Sequence, residues 1–306
     1  MDRNFFKTVR VMDGGMGQEL LAKGLISNGS LWSSGALIDE KYHKLVVDTH
    51  LSFIQAGAEV IVTNSFTSRR VRFEQNRVNH YFEYANKIAG ELALKARDKS
   101  KKNILIAGSL PAQNDTYSKD TRDKKIISKN FEDQAKILNP YIDFFYLDVI
   151  SSGLEIEIAL DVINKYNKPI LVGVHFKKNG KLPSEETITD IVKKNWTSDW
   201  LGVISACVSL EIAQKTSSEL KSLKVPFGSK VNLWKIDEPV SNKKYNQAKY
   251  NEIGINPNIT MGIRDEITIT KFGEFIKKSI KNGATILGGC CETNPRHIKE
   301  ISKLKQ

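Results

Sequence analysis

Leu287-Gly-Gly-Cys-Cys-Glu-Thr-Asn-Pro295 joins a short apolar run to an amphipathic one, and the reading of that junction decides the fold. Residues 284–287 have the length and content of a buried strand. Asn294-Pro295 opens a helix, with proline early in the first turn, where its missing N–H costs nothing. Between them, two glycines permit unusual backbone angles and close approach of another group. Adjacent cysteines are an awkward pair for a disulfide with each other, but two thiolates there could share one soft metal ion. The third and last cysteine, Cys207, also ends an apolar run. Three sulfurs on one zinc, with a fourth position open, is one reading. A small buried hydrophobe at 207 and an incidental pair at 290–291 is the other.

The strand–helix alternation of this stretch recurs along the chain. Seven further apolar runs read as strands: residues 8–12, 58–62, 104–107, 144–147, 169–174, 201–204 and 225–227. Helical spacing fills 39–55, 79–98, about 130–139, 154–165, 184–194 with Ser184 as its cap, 209–220, 271–281 and 294–304. Near-continuous apolar strands between amphipathic helices indicate a parallel sheet covered on both faces. Eight such units in 306 residues fit a single-domain α/β fold over 1–306, a (β/α)8 TIM barrel. An open doubly wound sheet is the competing arrangement. The stretch from about 228 to 268 is too long for a plain connection and reads as an active-site lid or an oligomer arm.

Composition narrows the class. Hydrophobic residues make up 40% and charged residues 26%, as in soluble globular proteins. No apolar run approaches the roughly 20 residues that span a bilayer, and the N-terminus does not resemble a secretory signal. Three cysteines in a chain this long argue against a disulfide scaffold and for a reducing compartment, so a cytoplasmic setting is expected. The net charge of +11 invites a nucleic-acid reading. The lysines are scattered, however, which fits a solvated surface better than a phosphate-tracking groove. No nucleic acid and no membrane are expected as partners, and the sequence leaves the oligomeric state open.

Barrel active sites form at the C-terminal ends of the strands. Those ends carry Asp13-Gly14-Gly15, Thr63-Asn64-Ser65-Phe66, Ser109, Asp148, His175, Cys207 and Cys290-Cys291. Strands six and eight are two apart around a barrel, so the cysteines can face one ion. His175 could face the pocket or sit in the core, and His297, inside the last helix, reads as structural.

The chain resembles the homocysteine S-methyltransferase family. The likeness rests on Met12-Asp-Gly-Gly-Met-Gly-Gln-Glu-Leu20, Leu31-Trp-Ser33, Gln55-Ala-Gly-Ala-Glu-Val-Ile-Val-Thr-Asn-Ser-Phe66, Leu201-Gly-Val-Ile-Ser-Ala-Cys207, Gly288-Gly-Cys-Cys291 and Pro295-Arg-His-Ile298. The resemblance implies Zn2+ on Cys207, Cys290 and Cys291, and methyl transfer onto the thiol of homocysteine to give methionine. It places Asp13 and Asp148 at the acceptor's ammonium, with backbone near Gly14, Gly15, Thr63 and Asn64 lining the pocket. A cationic methyl donor favours aromatic faces, for which Trp32, Phe66, Tyr117 and Trp234 are the candidates. Length and the Leu31-Trp-Ser33 piece point to S-methylmethionine or S-adenosylmethionine as donor, with betaine or another onium compound as alternatives.

Departures from the family pattern gather at the strand ends. Ala206 replaces an asparagine before the first cysteine, and Leu210 replaces a proline after it. Asp148-Val149 stands for Glu-Thr, and Gly228-Ser-Lys-Val-Asn-Leu-Trp234 for an asparagine- and glycine-containing turn. A different thiol acceptor is therefore an alternative. A non-catalytic metal or thiol sensor is the alternative class. A zinc hydrolase, which uses His and carboxylate ligands, is disfavoured by the three sulfurs.

Overall fold

The computed structural model describes residues 1–239 and 257–305. Eight strands, β1 Arg10–Val11, β2 Val60–Val62, β3 Leu105–Pro111, β4 Phe144–Ile150, β5 Ile170–Val174, β6 Trp200–Val208, β7 Phe227–Val231 and β8 Ile286–Gly289, pair in the order β1-β8-β7-β6-β5-β4-β3-β2. Every pairing between them is parallel. A further parallel bridge, Met12 to Val60, joins β1 to β2 and closes the ring. The expected (β/α)8 barrel is what forms. Its covering helices are α1 His43–Gln55, α2 Phe82–Ser100, α3 Lys124–Leu138, α4 Gly153–Ile163, α5 Ile188–Asn195, α6 Leu210–Ser222, α7 Ile269–Lys281 and α8 Pro295–Leu304.

Alternation along the strands sorts the apolar residues into three tiers. Val11, Ile61, Ile106, Phe145, Val172, Val203 and Leu287 point outward into the layer shared with the helices. Their neighbours Met12, Val60, Val62, Phe144, Tyr146, Leu171, Ile204 and Ile286 fill the barrel, with Phe6 among them. A third, smaller cluster at the C-terminal ends contains Cys207, Cys291 and aromatic rings. The helix signals read locally: Asn294 caps α8, with Pro295 at its first position, and His297 completes a capping box. His297 is structural, as expected.

Three expectations change. Helix α5 is capped by Thr187, whose hydroxyl accepts from Asp190 N–H, and not by Ser184, which lies before the helix starts. Strand β7 runs on to Val231, so the long excursion begins only after that residue. Gly-Ser-Lys there reads as a turn, but Gly228 is needed because a Cβ would lie 1.7 Å from the carbonyl of Ile286 on β8. Past the strand, Trp234 bridges Ile263, and residues 240–256 of the expected excursion lie outside the described residues. A short helix, Met16–Ala22, follows β1 and had no counterpart in the sequence reading. No described helix is long and apolar enough to cross a membrane.

His50 is fully buried on α1, and neither ring nitrogen has a hydrogen-bond partner. Burial pushes its pKa down to about 4, against a pull upward from Asp13. The folded value lies below the ordinary 6.5, so the contribution to stability is present above 6.5 and is lost as the pH falls toward 4. That loss amounts to about 3 kcal/mol. In urea titrations at pH 7 and pH 4.5, His50→Leu is expected to remove much of the acid-induced drop. An unchanged drop would place the liability elsewhere.

Candidate active site

Two strand ends supply the sulfurs. Near the end of β6 the register against β7 shifts between Ala206 and Val208, and Cys207 takes a left-handed backbone, φ 53°. Such a bulge re-aims a side chain. Asn232 Nδ2 donates to the Cys207 carbonyl at 2.7 Å and fixes the turn, after which Ser209 caps α6. On the other side, Cys290 N–H donates to Val231 O, and Leu233 N–H to Cys291 O, tying the pair to the segment after β7.

The two glycine pairs explain how this turn meets the end of β1. A Cβ on Gly15 would stand 2.5 Å from the carbonyl of Cys290, and one on Gly289 would stand 2.0 Å from Thr293 Oγ1. Gly15 N–H donates to Thr293 O, and Gly289 N–H to Asp13 O. Close approach of backbone to backbone is what these glycines permit.

The three sulfurs lie within 4.8 Å of one another, and Cys207 Sγ is 3.8 Å from Cys291 Sγ. Thiolates about 2.3 Å from a tetrahedral zinc stand about 3.8 Å apart, so the set fits that ion. The electrostatics agree. Burial opposes a thiolate at Cys207, but hydrogen bonds from Cys290, Cys291 and Tyr117 outweigh it and hold its pKa well below the ordinary value. Cys290 and Cys291 are pushed well above theirs, first by hydrogen bonding to Cys207. Without a cation the cluster favours one negative charge; a metal would let all three ionise.

The thirteen residues named as metal, acceptor or donor candidates line one cavity of about 140 Å³, whereas Ser65, Ser109 and His175 of the strand-end set are not in its lining. Trp32, Phe66, Tyr117 and Trp234 pack with Cys207 and Cys291 in the third apolar cluster. The Tyr117 hydroxyl lies 3.4 Å from Cys207 Sγ, and its ring lies 4.7 Å from the His175 ring. His175 is buried behind Tyr117 with Nδ1 at 3.3 Å from Ala206 O, and burial keeps it neutral. Trp32, Tyr117, Val149 and Cys207 all have φ between 48° and 69°, which is costly for such side chains. That strain gathers around one cavity, as it does at functional sites.

Carboxylates occupy the floor. Asp148 accepts from Ser109 Oγ at 2.8 Å, and burial pushes its pKa up to about 6 against the pull of Lys230. Asp13 is fully buried; Oδ2 accepts from Val62 N–H at 2.7 Å and Oδ1 pairs with Lys230 Nζ at 2.6 Å. Sequence reading missed Lys230. Its only trace was the altered segment after β7, and its partner is 217 residues away. It also missed Arg69, a buried guanidinium 5.3 Å from the Phe66 ring centre, held by the carbonyls of Ala112 and Asn114.

A family model described as homocysteine S-methyltransferase matches residues 10–304. Homocysteine S-methyltransferase 2 of Saccharomyces cerevisiae is 24% identical over 97% of this chain and 94% of its own length. Betaine–homocysteine S-methyltransferase 1 of Danio rerio is 22% identical over 96% of this chain and 72% of its own. Among solved structures, the metallated form of the homocysteine methyltransferase MmuM from Escherichia coli superposes with a TM-score of 0.75. It is 18% identical, covers 96% of each chain, and shares the fold. With the family model spanning nearly every residue from β1 to α8, this chain belongs to the homocysteine S-methyltransferase family of enzymes.

Proposed function

We propose that the protein is a zinc-dependent methyltransferase that moves a methyl group from a sulfonium donor to homocysteine or a close thiol analogue. One observation carries the reading: three sulfurs from two strand ends lie within 4.8 Å of one another in one apolar, aromatic-lined cavity, close enough to share a tetrahedral zinc. Cys207, Cys290 and Cys291 would hold the ion. A zinc ion held there would lower the pKa of the acceptor thiol, so that its sulfur would be presented ionised at neutral pH.

The residues around the sulfurs do the rest. Tyr117 lies against Cys207 Sγ and limits the water that reaches it. Trp32, Phe66, Tyr117 and Trp234 offer ring faces to a cationic donor, whose charge they attract without a covalent step. Asp13 and Asp148, with the backbone near Gly14, Gly15, Thr63 and Asn64, form the wall at the acceptor's polar end. In the transfer, a lone pair on the acceptor sulfur forms the new C–S bond. The donor's S–CH3 bond breaks with both electrons staying on the donor sulfur, which leaves as a neutral thioether. The acceptor's proton has already gone to solvent, so no general acid is needed and positioning carries much of the rate. Three free thiols fit a reducing, cytoplasmic setting.

The Leu31-Trp-Ser33 piece at the cavity, read as that of sulfonium-using members, supports the sulfonium donor. The test is a donor panel on zinc-loaded protein with homocysteine and its thiol analogues as acceptors. S-methylmethionine or S-adenosylmethionine is expected to exceed betaine by at least about 100-fold in kcat/KM, a difference near 3 kcal/mol. Betaine as the best donor would overturn the donor assignment. Metal and thiol binding without transfer from any donor would support a sensor instead.

A further inference from the structure

We infer that Arg69 anchors the carboxylate of the methyl donor, so that this cavity takes sulfonium donors whose far end, away from the transferred methyl group, carries a carboxylate. The inference rests on the proposed function and adds what holds that far end. Arg69 is 1% exposed and lines the cavity. Among the described residues its acceptors are all uncharged: the carbonyls of Ala112 at 2.8 Å and Asn114 at 2.7 Å, and Thr116 Oγ1 at 3.4 Å. All three are met by Nη1. The Nε–Nη2 edge, on which a guanidinium holds a carboxylate by two parallel bonds, meets none of them, and Nε is buried without a partner. Burial pulls the pKa of Arg69 down to about 9; Arg72 and Arg122 add to that pull and Asp115 opposes it, which leaves the group charged at neutral pH. Arg122 already pairs with Asp120. A buried cation without a paired anion is costly, and a ligand's negative charge offsets that cost.

The position assigns this charge to the donor. The guanidinium lies 5.3 Å from the centre of the Phe66 ring, and it touches Thr116, the neighbour of Tyr117, whose hydroxyl lies 3.4 Å from Cys207 Sγ. Phe66 and Tyr117, both offered to a cationic donor, thus connect Arg69 to the sulfurs. The acceptor's ammonium and carboxylate leave one carbon, so both belong at the other wall, with Asp13 and Asp148. A donor lying along the two rings has its sulfonium at the sulfurs and its far end at Arg69. Charge sets that direction: the guanidinium attracts a carboxylate and repels a sulfonium, and thiolates do the reverse. The planar fork also matches a carboxylate in shape.

The experiment compares S-methylmethionine with (3-carboxypropyl)dimethylsulfonium, which lacks the amino group, and with (3-aminopropyl)dimethylsulfonium, which lacks the carboxylate. Binding to the zinc-loaded, full-length protein is measured by titration calorimetry without acceptor, alongside kcat and KM with homocysteine. Loss of the carboxylate is expected to weaken binding and raise KM by at least about 10-fold, the size of a charge-assisted hydrogen bond, and loss of the amino group by less than about 3-fold. In Arg69→Gln the preference for carboxylate-bearing donors falls below about 3-fold. Arg69→Lys keeps the charge without the fork and retains only part of the preference. A residue that merely holds the Ala112 and Asn114 carbonyls would weaken all three donors alike when replaced and leave their ratio standing. That result overturns the inference, as does equal binding of the three donors to the unmodified protein, and both leave the methyltransferase reading in place. Binding of the carboxylate-bearing donors without transfer to any thiol overturns the methyltransferase reading, and with it the donor role of Arg69. Should Arg69→Gln fail to fold, Arg69→Lys decides: a reduced ratio supports the inference and an unchanged one overturns it.

Discussion

Cys207→Ser is expected to lose the metal and methyl transfer together, with the rate falling by at least about 1,000-fold. Two effects combine to that size. A free thiol at neutral pH is only a few per cent ionised, so losing the agent that ionises the acceptor costs about 30-fold. Losing the fixed point that holds the acceptor sulfur in line with the methyl group costs more, because positioning of this kind is worth several powers of ten. The serine oxygen is a poor replacement: it is hard where the site is soft, and it does not ionise at neutral pH. Cys207 is the revealing position because it comes from β6, while Cys290 and Cys291 follow β8. Metal content by elemental analysis and turnover with a sulfonium donor check the result. A variant that keeps one equivalent of zinc and its full rate would show that the three sulfurs do not act as one site.

The barrel could be read from the chain because its evidence is local. Most strands are short apolar runs, and six of the eight covering helices begin at a side-chain cap, as at Asn294-Pro295. Where the reading slipped, the local signal was weak or misleading. Seven residues at Met16–Ala22 are too few to display a period. Gly228-Ser229-Lys230 has the composition of a turn, yet it is a strand because β8 lies too close for any side chain at 228. The sulfurs were legible through their residue type and their place at strand ends. The ion pair between Asp13 and Lys230 was not, since no pattern links residues 217 apart in sequence until the barrel closes.

Removing Asp13 tests what that closure depends on. Asp13→Ala should cost about 3–5 kcal/mol, the range for stripping one partner from a buried ion pair. The cost has two parts. Lys230 would be left as an uncompensated charge at 7% exposure, and Val62 N–H would lose its acceptor across the seam between β1 and β2. Neither group can reach water without opening the barrel mouth, so the loss appears as stability and not only as weakened substrate binding. At 2–4 °C per kcal/mol the melting temperature should fall by roughly 10 °C. Asp13→Asn with Lys230→Met removes both charges, keeps an acceptor for Val62, and should recover most of the loss, with a coupling of about 0.5–3 kcal/mol. Denaturant unfolding of Asp13→Ala, Asp13→Asn, Lys230→Met and the double, with zinc content measured in parallel, separates the two roles. If Asp13→Ala is as stable as the parent and only acceptor binding suffers, then the carboxylate serves substrate alone and Lys230 finds water without it. If both fall while the three thiols still take up zinc, the same pair closes the barrel and sets the charge its acceptor meets.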